Sequence, residues 1–114
     1  MLKECRQALR ITTDAYDGEL CSLMQAAVRD LEIAGVVIPG ILSFTSTVNA
    51  GGQDVYEDSS DMEDPLVMRA ILTYVRAHFG TPPDYERLKE SYNTQKVQLM
   101  HASDYTNYDG GDGA

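Results

Sequence analysis

The sequence has no tryptophan, two phenylalanines, two cysteines and four prolines, and half as many basic residues (9) as acidic ones (18). Each scarcity excludes something. Cys5 and Cys21 are too few for the disulfide framework of a small secreted domain. Both fall beside apolar positions of expected helices and read as buried free thiols in a reducing compartment. The formal charge of −9 and pI near 4.4 argue against a nucleic acid as a tightly held ligand. Gripping phosphates takes clustered Lys and Arg. No apolar run approaches membrane length, and Lys3, Glu4 and Arg6 interrupt the N-terminus where a signal peptide would be apolar. The expectation is therefore a chain made in the cytosol, with no membrane partner.

Catalytic patterns are also missing. There is no HExxH, no CxxC pair, no phosphate-binding glycine loop and no nucleophile elbow. His78 and His101 lie on different expected helices, and His78 reads as a core or interface histidine rather than a metal ligand. The carboxylates between Glu57 and Asp64 lack the apolar walls that would raise a carboxyl pKa for acid catalysis. No cofactor, metal site or enzyme activity is expected.

At 114 residues the chain suits one domain. Its organising stretch is Asp64 to Gly80. Asp64 is a good N-cap, Pro65 fits the first helical position, and Gly80 suits a helix stop. Between them apolar residues cover almost every face, interrupted by Arg69, Thr73, Arg76 and His78. Such a helix must be covered on several sides, and Leu72 and Val75 are expected to be fully buried. Before it, Leu2, Cys5 and Leu9 mark a short amphipathic helix whose off-face residues Lys3, Arg6 and Arg10 form a basic edge. A second helix runs from Asp14 or Tyr16 to Ala34, with Leu20, Leu23, Met24, Ala27, Val28 and Leu31 at helical spacing and Gly35 as its stop.

Residues 36–63 differ. Ile41 to Val48 is β-like, Asn49 to Gly52 is a plausible hairpin turn, and Val55-Tyr56 is a short return strand. Asp54, Glu57, Asp58, Asp61, Glu63 and Asp64 crowd the approach to the central helix. They read either as a solvated, extended, poorly ordered loop or as an arm reaching a basic patch. Thr81-Pro82-Pro83-Asp84 looks like an N-cap with prolines in the first turn of a last helix, which extends to about Ala102 with Tyr85, Leu88, Tyr92 and Leu99 inward. Residues 103–114, rich in Asp and Gly, should be disordered in the free subunit, with Tyr105 and Tyr108 as candidate contacts. The expected fold is mainly α, a bundle of about four helices over residues 1–102. A β-like hairpin or extended loop is inserted between helices two and three.

The stretch Asp64-Pro65-Leu66-Val67 through Ile71-Leu72-Thr73-Tyr74-Val75-Arg76-Ala77-His78-Phe79-Gly80, continued in Tyr85-Glu86-Arg87-Leu88 and Ser91-Tyr92, resembles the small head–tail connector proteins of tailed bacteriophages. Ala8-Leu9-Arg10-Ile11, Tyr16-Asp17 and the helix Leu20 to Ala34 fit the same family. The resemblance implies a virion protein at the head–tail junction, present in the host cytoplasm during assembly. It implies a ring of about a dozen copies with closed symmetry, docked below the portal and offering a surface to a stopper or tail-completion protein. DNA would pass through without sequence-specific binding. In such a ring the acidic segment Asp54, Glu57, Asp58 and Asp61 is expected to reach a neighbour's basic edge. Lys3, Arg6 and Arg10 are the first candidates for that edge, with Arg87 and Lys89 as alternatives. Ile41, Leu42, Phe44 and Val48 would supply most of the affinity. The alternative is a non-catalytic helical module that binds or regulates one protein partner as a monomer or dimer.

Overall fold

The computed structural model describes residues 1–102 and residue 105. The elements run α1 (Leu2–Leu9), α2 (Asp17–Ile33), β1 (Gly40–Ile41), β2 (Phe44–Val48), β3 (Asp54–Asp58), β4 (Asp61–Met62), α3 (Pro65–His78) and α4 (Tyr85–His101). The four helices and the insertion between α2 and α3 are as expected. The insertion is built of four short strands, however, so the fold is helix-rich and mixed rather than a mainly α bundle.

The core is one cluster. Leu2 and Cys5 of α1, Leu20, Cys21, Met24, Ala27 and Leu31 of α2, Val67, Ala70, Ile71 and Val75 of α3, and Tyr92 and Leu99 of α4 meet in it. α3 packs against α1, α2 and α4, as its composition requires. Val75 is fully buried, but Leu72 is only half-buried. With Ile71 pointing into the core, Leu72 is rotated about 100° away from it. Thr73 is the buried neighbour instead, its hydroxyl donating to the Arg69 carbonyl at 2.9 Å.

Local chemistry fixes the ends. The Asp64 carboxylate accepts from the N–H groups of Leu66 and Val67 at 3.0 and 3.1 Å, with Pro65 at the first helical position. α1 closes on Arg10, a left-handed residue at φ 58°. The N–H groups of Arg10 and Ile11 donate to the Gln7 and Arg6 carbonyls, which is a Schellman closure on a residue other than glycine. α2 closes the same way through Gly35 at φ 97°. It starts at Asp17, later than expected. α4 starts at Tyr85, so Pro82 and Pro83 lie ahead of its first turn rather than inside it. A residue preceding proline avoids the α region, which keeps both Thr81 and Pro82 out of the helix.

The insertion leaves and returns as a ribbon. β1 pairs antiparallel with β4, and β2 with β3. Asn49 builds the turn, its side-chain oxygen accepting from Gly51 and Gln53 N–H. The acidic run is therefore strand rather than a loose loop. Register explains why. Asp54 faces Val48, Glu57 faces Thr45, Asp58 faces Phe44 and Asp61 faces Ile41, so no carboxylate opposes another across the ladder. Phe44 and Tyr56 turn toward the core. Tyr56 lies over Gly18 of α2, where a Cβ would come 2.8 Å from its hydroxyl oxygen.

Candidate subunit interface

Several side chains expected to face a neighbour are engaged inside the chain. Arg6 projects from α1 across the start of α2 and forks onto Asp17, Nε donating to Oδ1 at 2.8 Å and a terminal nitrogen to Oδ2. Asp17 is 4% exposed. Its hydrogen bonds hold the Arg6 pKa above its ordinary value. Arg6 is thus an internal clamp between α1 and α2, not part of a free basic edge. Lys3 and Arg10 remain exposed.

Asp58, at the end of β3, is also committed internally. Its Oδ2 accepts from the Met1 ammonium at 2.6 Å and from Leu2 N–H at 2.8 Å, and its Oδ1 from Ser60 N–H. Burial alone would push this carboxyl up. The ammonium, Ser60 and the two N–H groups outweigh burial and hold it well below the carboxylate range. Asp58 therefore fastens the hairpin to the start of α1. Asp54, Glu57 and Asp61 are exposed.

The apolar candidates divide likewise. Ile41 and Val48 are 64% and 67% exposed, joined on the hairpin by Val55 at 37%. Leu42 and Phe44 pack against the core of their own chain. Tyr105, expected in a disordered tail, is docked: its hydroxyl donates to Asp64 Oδ2 at 2.7 Å, and its carbonyl accepts from Val37 N–H at 2.6 Å. Tyr108 lies outside the described residues. Cys5 and Cys21 are buried free thiols, as read from the sequence. Burial pushes Cys5 up to about 12 and Cys21 up to about 11.

His78 is exposed rather than in the core, tilted against Tyr74 at 4.2 Å between ring centroids and edge-on to Tyr85 at 6.1 Å. Nearby, Asp30 accepts from the Tyr92 hydroxyl at 2.5 Å and from Lys96 Nζ at 3.2 Å. Among the described residues no three His, Cys, Asp or Glu side chains come together to hold a metal ion, and no helix is long and apolar enough to cross a membrane.

One surface is only partly legible in the sequence. α1, α3 and α4 leave a groove of about 550 Å³ whose lining includes Arg69, Arg76 and Arg87, with Met68 and Leu72 on its apolar wall. Arg69, Leu72 and Arg76 recur at three- and four-residue spacing, so one stripe of α3 was readable. On the α4 side the sequence offers Arg87 as an alternative basic edge and Leu88 as an inward residue, and both line the groove, but it does not show that they meet the α3 stripe.

The described surface thus combines a strand-bearing arm, an internally clamped N-terminal helix and an arginine-lined groove. Comparison with curated proteins and with solved structures returns no significant match. The model of one family, described as phage connector protein, matches residues 1–106. The chain belongs to that family, and is a structural protein of the bacteriophage virion.

Proposed function

We propose that this protein assembles as a ring of about twelve copies beneath the portal, joining head to tail and prolonging the DNA channel after packaging. The subunit is made in the host cytoplasm and ends at the head–tail junction, where the ring also meets a stopper or tail-completion protein. The observation that carries this reading beyond the family is the β2–β3 hairpin. One face of this ribbon is packed on the core through Phe44 and Tyr56, yet it also displays Val48 and Val55 beside Asp54 and Glu57. That is the make-up of an arm completed by a neighbour. With a charge of −9, the ring would let DNA slide rather than hold it by counterion release.

The test has two parts. Negative-stain microscopy and light scattering at high protein concentration should reveal rings. Immobilised portal protein should retain the subunit and raise ring yield. A chain that stays monomeric or dimeric in both would favour a regulatory module acting on one partner. Duplex DNA should bind weakly at physiological salt, and sub-micromolar affinity would contradict a passive channel.

A further inference from the structure

We propose that the α1–α3–α4 groove receives the acidic β2–β3 hairpin of a second copy of this chain. The proposal rests on the ring reading and assigns the receptor for the arm. Every charged residue lining the groove is cationic: Arg69, Arg76 and Arg87. These are three of only nine Lys and Arg in a chain with eighteen carboxylates. Arg87 is held at the rim by Asp84, whereas Arg69 and Arg76 are exposed and make no ion pair among the described residues. Gln95 of α4 also lines the groove and is 9% exposed.

The hairpin has the complementary chemistry. Strand residues alternate between faces. Phe44, Ser46 and Tyr56 share the face turned toward the core, so Thr45, Thr47, Val55 and Glu57 share the outward face, with Asp54 exposed at the tip. That face offers the Glu57 carboxylate for the arginines and the Val55 side chain for Leu72 and Met68, and Asp54 adds a second carboxylate at the tip from the opposite face. The hairpin rests on α2, while the groove is formed by α1, α3 and α4. Arm and receptor are therefore different surfaces, and the contact is head-to-tail, the kind that closes rings. α1 contributes to this receptor through Ala8 of the groove wall rather than through Arg6.

Two full-length variants test this. The arm variant carries Asp54→Lys and Glu57→Lys; the groove variant carries Arg69→Glu and Arg76→Glu. All four sites are exposed, and melting curves check that both variants fold. Should the groove variant fail to fold, Arg69→Gln with Arg76→Gln replaces it. Size-exclusion chromatography with light scattering at high protein concentration should find wild-type oligomers and monomers of each variant, with self-association weaker by at least about a hundredfold, since like charges face each other at contact. An equimolar mixture should recover oligomers larger than either variant forms alone, because the groove variant's native arm meets the arm variant's native groove and the lysine arm meets the glutamate groove. A groove variant that assembles like wild type overturns the inference and leaves the ring reading standing. Wild type that forms no ring, alone or on portal protein, overturns both. Rings that survive in the groove variant while binding to a short DNA duplex is lost would assign the groove to nucleic acid and overturn the inference.

Discussion

Replacing Arg6 with methionine decides whether this arginine serves its own chain or a neighbour. Methionine keeps most of the apolar stem and removes the fork. Asp17 would then be a carboxylate 4% exposed, without the two hydrogen bonds Arg6 donates to it. Breaking a buried ion pair from one side costs about 3–5 kcal/mol. Here the Arg6 side chain is 31% exposed, so water would enter the vacated space and recover part of that. We therefore expect a loss of about 2–3 kcal/mol. For a domain of this size that is a fall of about 8–12 °C in Tm. Urea unfolding of the monomer is the assay, with Asp17→Asn and the double variant completing a cycle. Asp17→Asn removes the stranded charge, so the double variant should be more stable than Arg6→Met alone, with coupling of about 1–2 kcal/mol. If Arg6→Met stayed within about 0.5 kcal/mol of wild type yet abolished rings, the internal clamp would be wrong and Arg6 would belong to the interface.

Ile71→Ala should cost about 2–5 kcal/mol in the same unfolding assay, and Leu72→Ala about half as much; equal losses would contradict the placement of Leu72 on the groove wall. Asp58 is held below its ordinary pKa, so its stabilisation is fully present above the unfolded value of 3.8 and is lost as pH falls through the depressed folded value. Stability measured from pH 5 downward should therefore fall less steeply in Asp58→Asn than in wild type, and identical slopes would refute the tie to α1. With Cys5 and Cys21 pushed up to about 12 and about 11, almost no thiolate is present at pH 8. Ellman's reagent should label the native chain only at the rate of unfolding, and rapid labelling of both thiols would place them nearer the surface.

The helices were legible because their signals are local. The apolar spacing from Leu20 to Leu31 and the Asp64-Pro65 start each concern residues within a few positions of one another. The hairpin was legible from its β-branched run and its Asn49-Ala50-Gly51-Gly52 turn, but not the order of its return strand. Counting carboxylates suggests repulsion, and only the register puts neutral residues opposite Asp54, Glu57 and Asp58. The interface residues were the least legible. Arg6 finds Asp17 eleven residues away, and Asp58 finds Met1 fifty-seven away. Both partnerships are made by tertiary packing, which turns two side chains expected outside into structural ties. Pro82-Pro83 was misplaced for a local reason: the first proline bars the α conformation for Thr81, and the second bars it for Pro82.

The division of charge bears on how assembly is controlled. Asp17, Asp58 and Asp64 are engaged within the subunit, whereas Asp54, Glu57, Arg69 and Arg76 are left outward. Two subunits of charge −9 repel each other at a distance. That repulsion is screened beyond about 8 Å at physiological ionic strength. Inside that range the local pattern matters more than the total, and in the proposed contact an arm carrying Asp54 and Glu57 would meet three arginines. At low salt the long-range repulsion extends outward and opposes encounter. At high salt the pairing that orients encounter is weakened, while burial of Val55 and Leu72 is not. In the proposed ring, net charge would oppose encounter of dilute subunits, and high concentration or a portal would bring them side by side. The contact then depends on short-range complementarity, which salt slows in forming more than it loosens once formed.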